Sequence, residues 1–492
     1  MDRQQIRNLF LFCLAFVCGG VTLFLAEDTG LPPQGQRLLA LLSAIMVLWS
    51  TACVSLGASC LLLLAFMVVS VADYSGGNFG MDMEKAFRKS LGGFTSLVPM
   101  AVISGTAFAA VLQSSGLAER TVYTIMKAVT GKSGKAAPGR ILAAVFLAEL
   151  PISLMIPAAI GRCAIYMSVA EGFEKTMNFA RLDSGKPFNP FQKAVWIGLA
   201  ITPVIMGAAF LTSAEATIMA GTFISEATGL PQYWGLTFFL LFLPAVGAMV
   251  IAWAVLFRLF PSNMPDVDSS MIAENLRRLG PLCYKEKYCL ATLLIMVILF
   301  LTDTVHGIPA PLILVLMCFT MFIPGVGAGN WKQDCKYIAW EGAFIIAVAL
   351  GFSALLGEYG VMDYFVVKIA TLNLTSYPLV LLTVIVCILV VRLGIASIAS
   401  STALLVPVSL VVASGANLTP EQVAAVGWIG YVFCRISFFL PHQGAHVIMT
   451  YSRGFYTTRD LTCSAVLITT GCVAVYFFWA LFCMVPILTF IR

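Results

Sequence analysis

The sequence predicts an all-α membrane protein of about eleven transmembrane helices. It is expected to form an inverted repeat with two re-entrant hairpins and two broken helices. Three observations carry this reading. The 492 residues are 60% hydrophobic and only 11% charged, whereas a soluble domain carries about 25% charged residues. Charge-free runs at 8–26, 38–72, 90–118, 227–257, 304–331, 369–391 and 462–491 approach or exceed the length needed to cross a bilayer. Blocks from the first half of the chain also reappear, in order, in the second half. This composition excludes a soluble enzyme, a disordered chain and a secreted disulfide scaffold. The 14 cysteines form no CxxC pair and have no histidine at zinc spacing, so they read as small core- or lipid-facing residues.

Taken in order, the run 8–26 has no clear small-x-small cleavage site and is followed by further spans. It reads as a retained first helix rather than a signal peptide. Placing the N-terminus in the cytoplasm puts segments 1–7, 116–140, 170–193, 258–287, 325–341 and 448–461 inside. These hold 20 of the 29 Lys and Arg, against six in the outside segments. The net charge of +5 therefore marks cytoplasmic loops rather than a nucleic-acid partner. This orientation requires 141–168 and 378–411 each to enter and leave on one side, and leaves the C-terminus outside. The expected location is the cell inner (plasma) membrane.

Local chemistry supports the two hairpins. The run LPISLMIPAAIGR (150–162) lies between Glu149 and Arg162, and Pro151 and Pro157 oppose a continuous helix there. The run RLGIASIASSTALLVP (392–407) carries Gly394, then Ser397, Ser400, Ser401 and Thr402, then Pro407. Irregular backbone at membrane depth is tolerated where it lines a cavity inside the protein. The repeat frames both runs. FAAVLQSSGLAER (108–120) aligns without gaps on FSALLGEYGVMDY (352–364), with Gly116 on Gly360. The segment 194–220 resembles 425–450, sharing Trp-Ile-Gly and later Ile-Met. The predicted topology gives the two copies opposite orientations, an architecture of secondary transporters.

Four backbone breaks should then converge: hairpin tips near 156–162 and 398–404, and helix interruptions near 207–217 and 440–446. Helix starts at such breaks carry partial positive charge and free N–H groups suited to an anion. The candidate substrate-binding residues are Ser400, Ser401, Thr402, Thr212, Ser213, Arg162, Glu215, His442 and Gln443. The candidate ion-binding residues are Ser400, Thr402 and Ala445. Ser400, Ser401 and Thr402 are equally the small polar residues that let membrane helices pack closely. Arg162 would contact an anion or pair with Glu149. Glu215 would hold a proton, a cation or a substrate amine, or pair with His442 or Arg435. His442 and His446 stand four residues apart, a spacing that holds a metal only on a continuous helix with further ligands. No metal is expected. Arg392 and Arg435 read as salt-bridged or snorkelling.

With these residues in place, the chain resembles the divalent anion/sodium symporter family. GLPPQGQRLLALLSAIMVLWSTACVSLGASCLLLL (30–64) resembles its second and third helices, and SSGLAERTVYTIMKAVTGKSG (114–134) the approach to its first hairpin. LPISLMIPAAIGRCAIYMSV (150–169) and SSTALLVPV (400–408) resemble its hairpins. IMGAAFLTSAEATIMAG (205–221) and FLPHQGAHVIMTYSRGFYTTRD (439–460) resemble its broken helices. The likeness covers most of 30–490 and is nearest to dicarboxylate and citrate exchangers. It maps the family's motif onto Ala158, Ala159 and Ile160 at the first tip and Ser400, Ser401 and Thr402 at the second. The first tip has therefore lost its side-chain oxygens.

The resemblance implies a homodimeric, elevator-type secondary transporter for a small di- or tricarboxylate, working by Na+ symport or anion exchange. No cofactor is implied beyond Na+ as a coupling ion, and no catalytic constellation suggests an enzyme. Residues 1–140 would be scaffold, 141–230 the first transport part, 231–375 scaffold, 376–450 the second transport part and 451–492 the last helix. Two alternatives are a carrier of a zwitterion, sulfonate or sulfate coupled to H+ through Glu215 or His442, and a transport-inactive sensor or scaffold.

Overall fold

A computed structural model describes residues 3–51, 53–72, 79–131, 135–177, 189–261, 267–371 and 376–491. Parts of the basic segments expected inside, at 132–134, 178–188 and 262–266, and Arg492 lie outside the described residues. The described chain is almost entirely helical. α1 (Arg3–Ala26) is apolar around much of its circumference and exposes Phe10 and Phe24, as a lipid-facing helix does. It packs on α2 (Pro33–Thr51), which packs on α3 (Leu56–Val71), and that on the amphipathic α4 (Phe79–Ser90).

Six helices follow: α5 (Leu97–Ser114), α6 (Leu117–Thr130), α7 (Pro138–Met155), α8 (Ala159–Met177), α9 (Pro190–Met206) and α10 (Glu215–Thr228). The middle of the chain holds α11 (Trp234–Leu259), α12 (Ser270–Arg278), α13 (Tyr284–Leu301), α14 (Asp303–His306), α15 (Ala310–Met321) and α16 (Trp331–Asp334). A second set of six then comes: α17 (Trp340–Glu358), α18 (Val361–Ala370), α19 (Tyr377–Arg392), α20 (Ile398–Gly415), α21 (Pro420–Ile436) and α22 (Ala445–Tyr451). α23 (Thr458–Trp479) and α24 (Val485–Ile491) close the chain. One short antiparallel pair, β1 (Lys135–Ala136) with β2 (Val267–Asp268), ties two loops together.

The two sets of six match element by element. Gly116 and Gly360, aligned by sequence, both take left-handed backbone (φ +84° and +75°) between consecutive helices. A side chain is strained there, which accounts for glycine in both copies. α9 and α21 also begin alike. Each has Pro at its first position and a capping box, Asn189 with Gln192 in one and Thr419 with Gln422 in the other. Each then stops at a gap, 207–214 and 437–444, before a shorter helix resumes.

The predicted hairpin breaks are present, with two corrections. Pro151 lies inside α7, and the chain leaves the helix at Ile156. Pro157 causes this, because a residue before proline is driven out of helical backbone, and Ile156 is extended (φ −129°, ψ 109°). In the second hairpin the gap is 393–397. The expected tip at 398–404 is instead the first turns of α20, and Pro407 lies within that helix. Gly394 and the Ser397 cap set this boundary.

Seven helices among the described residues have the length and hydropathy to cross a bilayer. Leu56–Val71, Pro190–Met206, Ala310–Met321 and Tyr377–Arg392 are shorter apolar helices. Two of these four are first arms ending at breaks. α20 and α21 of the second set pack on α10 of the first, and α22 packs on α8 and α9. The four breaks are thereby brought into one core.

Candidate functional site

One cavity of about 350 Å3 is lined by residues from all four breaks. The first hairpin supplies Ala158, Ala159 and Ile160, and the second supplies Ala396, Ser397, Ile398 and Ala399. The broken helices supply Ala214 and Glu215 on one side, and Arg435, His442, Gly444, Ala445, His446 and Ile448 on the other. The first residues of α8, α10, α20 and α22 all face this space. α10 and α22 carry no capping side chain, so their first N–H groups stay available. α20 is capped, with Ser397 Oγ accepting from the Ser400 N–H at 3.3 Å.

Two buried arginines hold the breaks open in matching ways. Arg162, at the start of α8, donates from Nη1 to the carbonyls of Ile156 (2.7 Å) and Ser213 (3.0 Å), and from Nη2 to Pro203 (2.6 Å). Its Nε stands 2.8 Å from Glu149 Oε1, and neither side chain is exposed. Arg392, at the end of α19, donates to the carbonyls of Cys434 (2.9 Å), Gln443 (2.7 Å) and Ile395. In each case one guanidinium joins a hairpin break, the last turns of a broken helix's first half and the gap beyond it. Five N–H donors in a fixed fork suit this task. Carbonyls freed by a break at membrane depth need such donors.

A third arginine has a different setting. Arg435 Nε donates to the Val204 carbonyl (3.2 Å) and Nη2 reaches Pro203 (3.5 Å). It lines the cavity and is 2% exposed, with no carboxylate partner among the described residues. Gly207 makes room for this arrangement: a Cβ there would stand 2.0 Å from Arg435 Nη2 and 2.6 Å from Arg162 Nη2. Its backbone is ordinary helical, so space alone demands glycine. Tyr431 adds a tie between the repeats, donating to the Gly207 carbonyl (3.3 Å) and meeting Thr217 Oγ1.

The expected site residues divide. Glu215 and His442 line the cavity, as does Ala445. Glu215 makes no hydrogen bond or ion pair among the described residues, and His442 Nε2 is 3.4 Å from the Leu393 carbonyl. Most of the other expected residues are turned to structural use. Arg162 is committed to Glu149 and three carbonyls. Ser213 Oγ donates to the Gly207 carbonyl (2.6 Å), and Thr212 accepts from Trp234 Nε1 (3.1 Å) within an aromatic cluster. Ser401 and Thr402 donate back into their own helix, both to the Ile398 carbonyl at 2.9 Å. Gln443 donates to the Arg392 carbonyl (2.8 Å) and accepts from the Leu440 N–H. Ser400 Oγ is buried without a partner, an oxygen free to meet a small cation.

Two cavity groups weighed in the sequence stand outside the expected site set, Arg435 and His446. His446 is 2% exposed, lines the cavity, and its Nε2 has no partner. Gly444 leaves room for its ring, which would stand 2.3 Å from a Cβ at that position. His442 lies in the short turn Pro441–Gln443 and His446 in α22, so the i, i+4 spacing forms no continuous face. The signal for Arg435 was a charge within an apolar helix just before a break.

Comparison with known proteins agrees with this architecture. Residues 6–488 match the family described as the sodium:sulfate symporter transmembrane region. A membrane protein of Cupriavidus necator is 23% identical over 434 residues, covering 85% of this chain and 80% of that one. Inner membrane protein YbhI of Escherichia coli is 23% identical over 314 residues, covering 61% and 60%. Among solved structures, Neisseria gonorrhoeae MtrF has a TM-score of 0.58 at 12% identity, covering 86% of this chain and 94% of its own. The Alcanivorax borkumensis YdaH transporter has a TM-score of 0.53 at 13% identity, covering 90% and 98%. At such identities the likeness is one of fold. With a family match spanning nearly the whole length and a multi-pass helical fold to accompany it, this chain belongs to the divalent anion/sodium symporter family of membrane transporters.

Proposed function

We propose that the protein is a secondary active carrier that moves a small organic anion across the membrane, binding it in the cavity where the four breaks meet. The observation that carries this reading is the convergence of helix starts on that cavity beside Arg435. α8, α10 and α20 are 14 residues or longer, and each such start presents roughly half a positive charge. The surrounding core adds Arg162, Arg392 and Arg435 against Glu149 and Glu215, an excess of positive charge. A negative solute balances it. Carboxylates of the di- and tricarboxylate class, which the family resemblance implies, and sulfate are the first solutes to measure.

The same reading gives each part a task. Residues 141–230 and 376–450 carry the cavity and move as an elevator against a scaffold built from 1–140 and 231–375, with two copies forming a dimer. The two repeats run in opposite directions across the membrane, with the N-terminus in the cytoplasm and the C-terminus outside. Both hairpins are re-entrant. Coupling to Na+ fits this family, and the unpartnered Ser400 hydroxyl beside the second hairpin, with backbone carbonyls near Thr402 and Ala445, suits an ion with a preference for oxygen. The unpaired Glu215 carboxylate in the cavity favours H+ coupling as the second reading.

Uptake of labelled succinate, citrate and sulfate into proteoliposomes, with and without a Na+ gradient, tests the proposal. Arg435→Gln should cut the flux of the transported anion at least about a hundredfold, the scale of a lost electrostatic contact in a water-poor site. Unchanged flux in a well-folded variant would remove Arg435, and with it the charge argument.

A further inference from the structure

The cavity departs from what a small, multiply charged anion needs. Both hairpins line it almost wholly with hydrocarbon: Ala158, Ala159 and Ile160 from one, and Ala396, Ile398 and Ala399 from the other. The one hydroxyl among them, on Ser397, is already engaged with the Ser400 N–H. Ile160 and Ile448 are 48% and 51% exposed and line the cavity. Apolar side chains left open beside a membrane carrier's polar groups form a wall for apolar matter, because water gains nothing from them. The polar groups come from the broken helices. They are Arg435, the unpartnered buried Nε2 of His446, Glu215 and His442.

Charge and size restrict the ligand further. The lining holds one arginine and one glutamate. In the core around it, Glu149 neutralises Arg162, which leaves Arg392 as the single excess charge. A second or third carboxylate would find only the partial charges of the helix starts to meet it, and a poorly compensated charge out of water is costly. The volume of about 350 Å3 falls in the range of ~300–1,000 Å3 typical of sites for drug-sized ligands. A sulfate ion would leave much of it unfilled.

We propose that the cavity selects an anion with one negative group on an apolar body, such as an aromatic or branched aliphatic monocarboxylate. Its carboxylate meets Arg435, His446 and the helix starts, and its hydrocarbon lies along Ile160, Ile398 and Ile448. His446, as an unpartnered group at the polar end, donates to the carboxylate from Nε2 in the tautomer that carries its proton there. This rests on the carrier reading and narrows its substrate class.

The test is a competition in proteoliposomes between labelled phenylacetate, succinate, citrate, sulfate and phenylalanine. Phenylacetate should be carried with a kcat/KM at least about tenfold above succinate, the scale of a matched apolar contact. Restoring polarity with Ala159→Asn plus Ile160→Thr should reverse the order of phenylacetate and succinate. Ile448→Ser, at a half-exposed position where folding is at little risk, should lower phenylacetate transport and spare succinate. Preference for succinate, citrate, sulfate or phenylalanine in the unaltered protein would overturn this inference while leaving a carrier. Flux of none of the five would overturn the carrier reading with it.

Discussion

Gly207 is one of the tightest positions of the core, and its requirement is steric. Two guanidinium groups occupy the space a methyl would take. Gly207→Ala should therefore cost more than the 1–3 kcal/mol typical of overpacking, read as a large fall in the thermal midpoint of the detergent-purified protein. An unchanged midpoint would mean the two arginines do not converge there. Arg392→Met should be comparably damaging. It leaves three carbonyls unpaired, each worth roughly 1–3 kcal/mol when stranded, whereas Ser401→Ala removes only a bond back into its own helix and should be near neutral. Equal melting temperatures for these two variants would contradict the stapling role. The sequence offers Arg162 as an anion contact or as the partner of Glu149, and the structure has the second; Arg435, expected to be salt-bridged or snorkelling, lines the cavity with no carboxylate partner among the described residues. A guanidinium's partners here are carbonyls 41, 42 and 51 positions away. No local pattern encodes that distance, so a charge in an apolar run announced importance without announcing its use.

At the scale of elements, the repeat was legible where physics forces an identity and hidden where it permits a choice. Gly116 and Gly360 aligned because left-handed backbone leaves few alternatives. The capping boxes at Asn189 and Thr419 escaped notice because several residues serve as caps. In the first hairpin proline marks the break rightly at Pro157 and wrongly at Pro151, and in the second the gap lies at Gly394 while Pro407 sits inside α20. Proline within a membrane helix is accommodated by its neighbours, and it is the residue before Pro157 that leaves helical backbone. Equivalent elements should respond equally. Gly116→Ala and Gly360→Ala should each destabilise by about 1–2 kcal/mol, the cost of left-handed backbone for an L-residue, measured by chemical denaturation in detergent. A loss at one position with none at the other would show that the two turns are not equivalent.

For the molecule as a whole, hydropathy and repeat order point to a multi-pass transporter, and the resemblance of the motifs points to the family. What they could not give was the direction of each hydroxyl. Of the Ser and Thr residues expected to face substrate, most bond to backbone, and the cavity is lined instead by small apolar residues and four ionisable ones. That outcome follows from two competing demands. Broken helices need polar side chains to satisfy freed backbone groups, and a binding site needs polar side chains for its ligand. On the proposed function, helix starts and Arg435 take the second task, which releases the hydroxyls for the first.

On the proposed function, one solute occupies a space shared by both repeats. Ile160 and Ile448, one from each set of six helices, line that space and are half exposed, so cysteines placed there report on it directly. In a background with the exposed Cys13, Cys283, Cys387 and Cys463 replaced, Ile160→Cys and Ile448→Cys should both react with a small charged thiol reagent. The transported anion should slow both reactions with the same half-saturating concentration. Protection at one site and not the other, or at neither, would contradict a shared cavity.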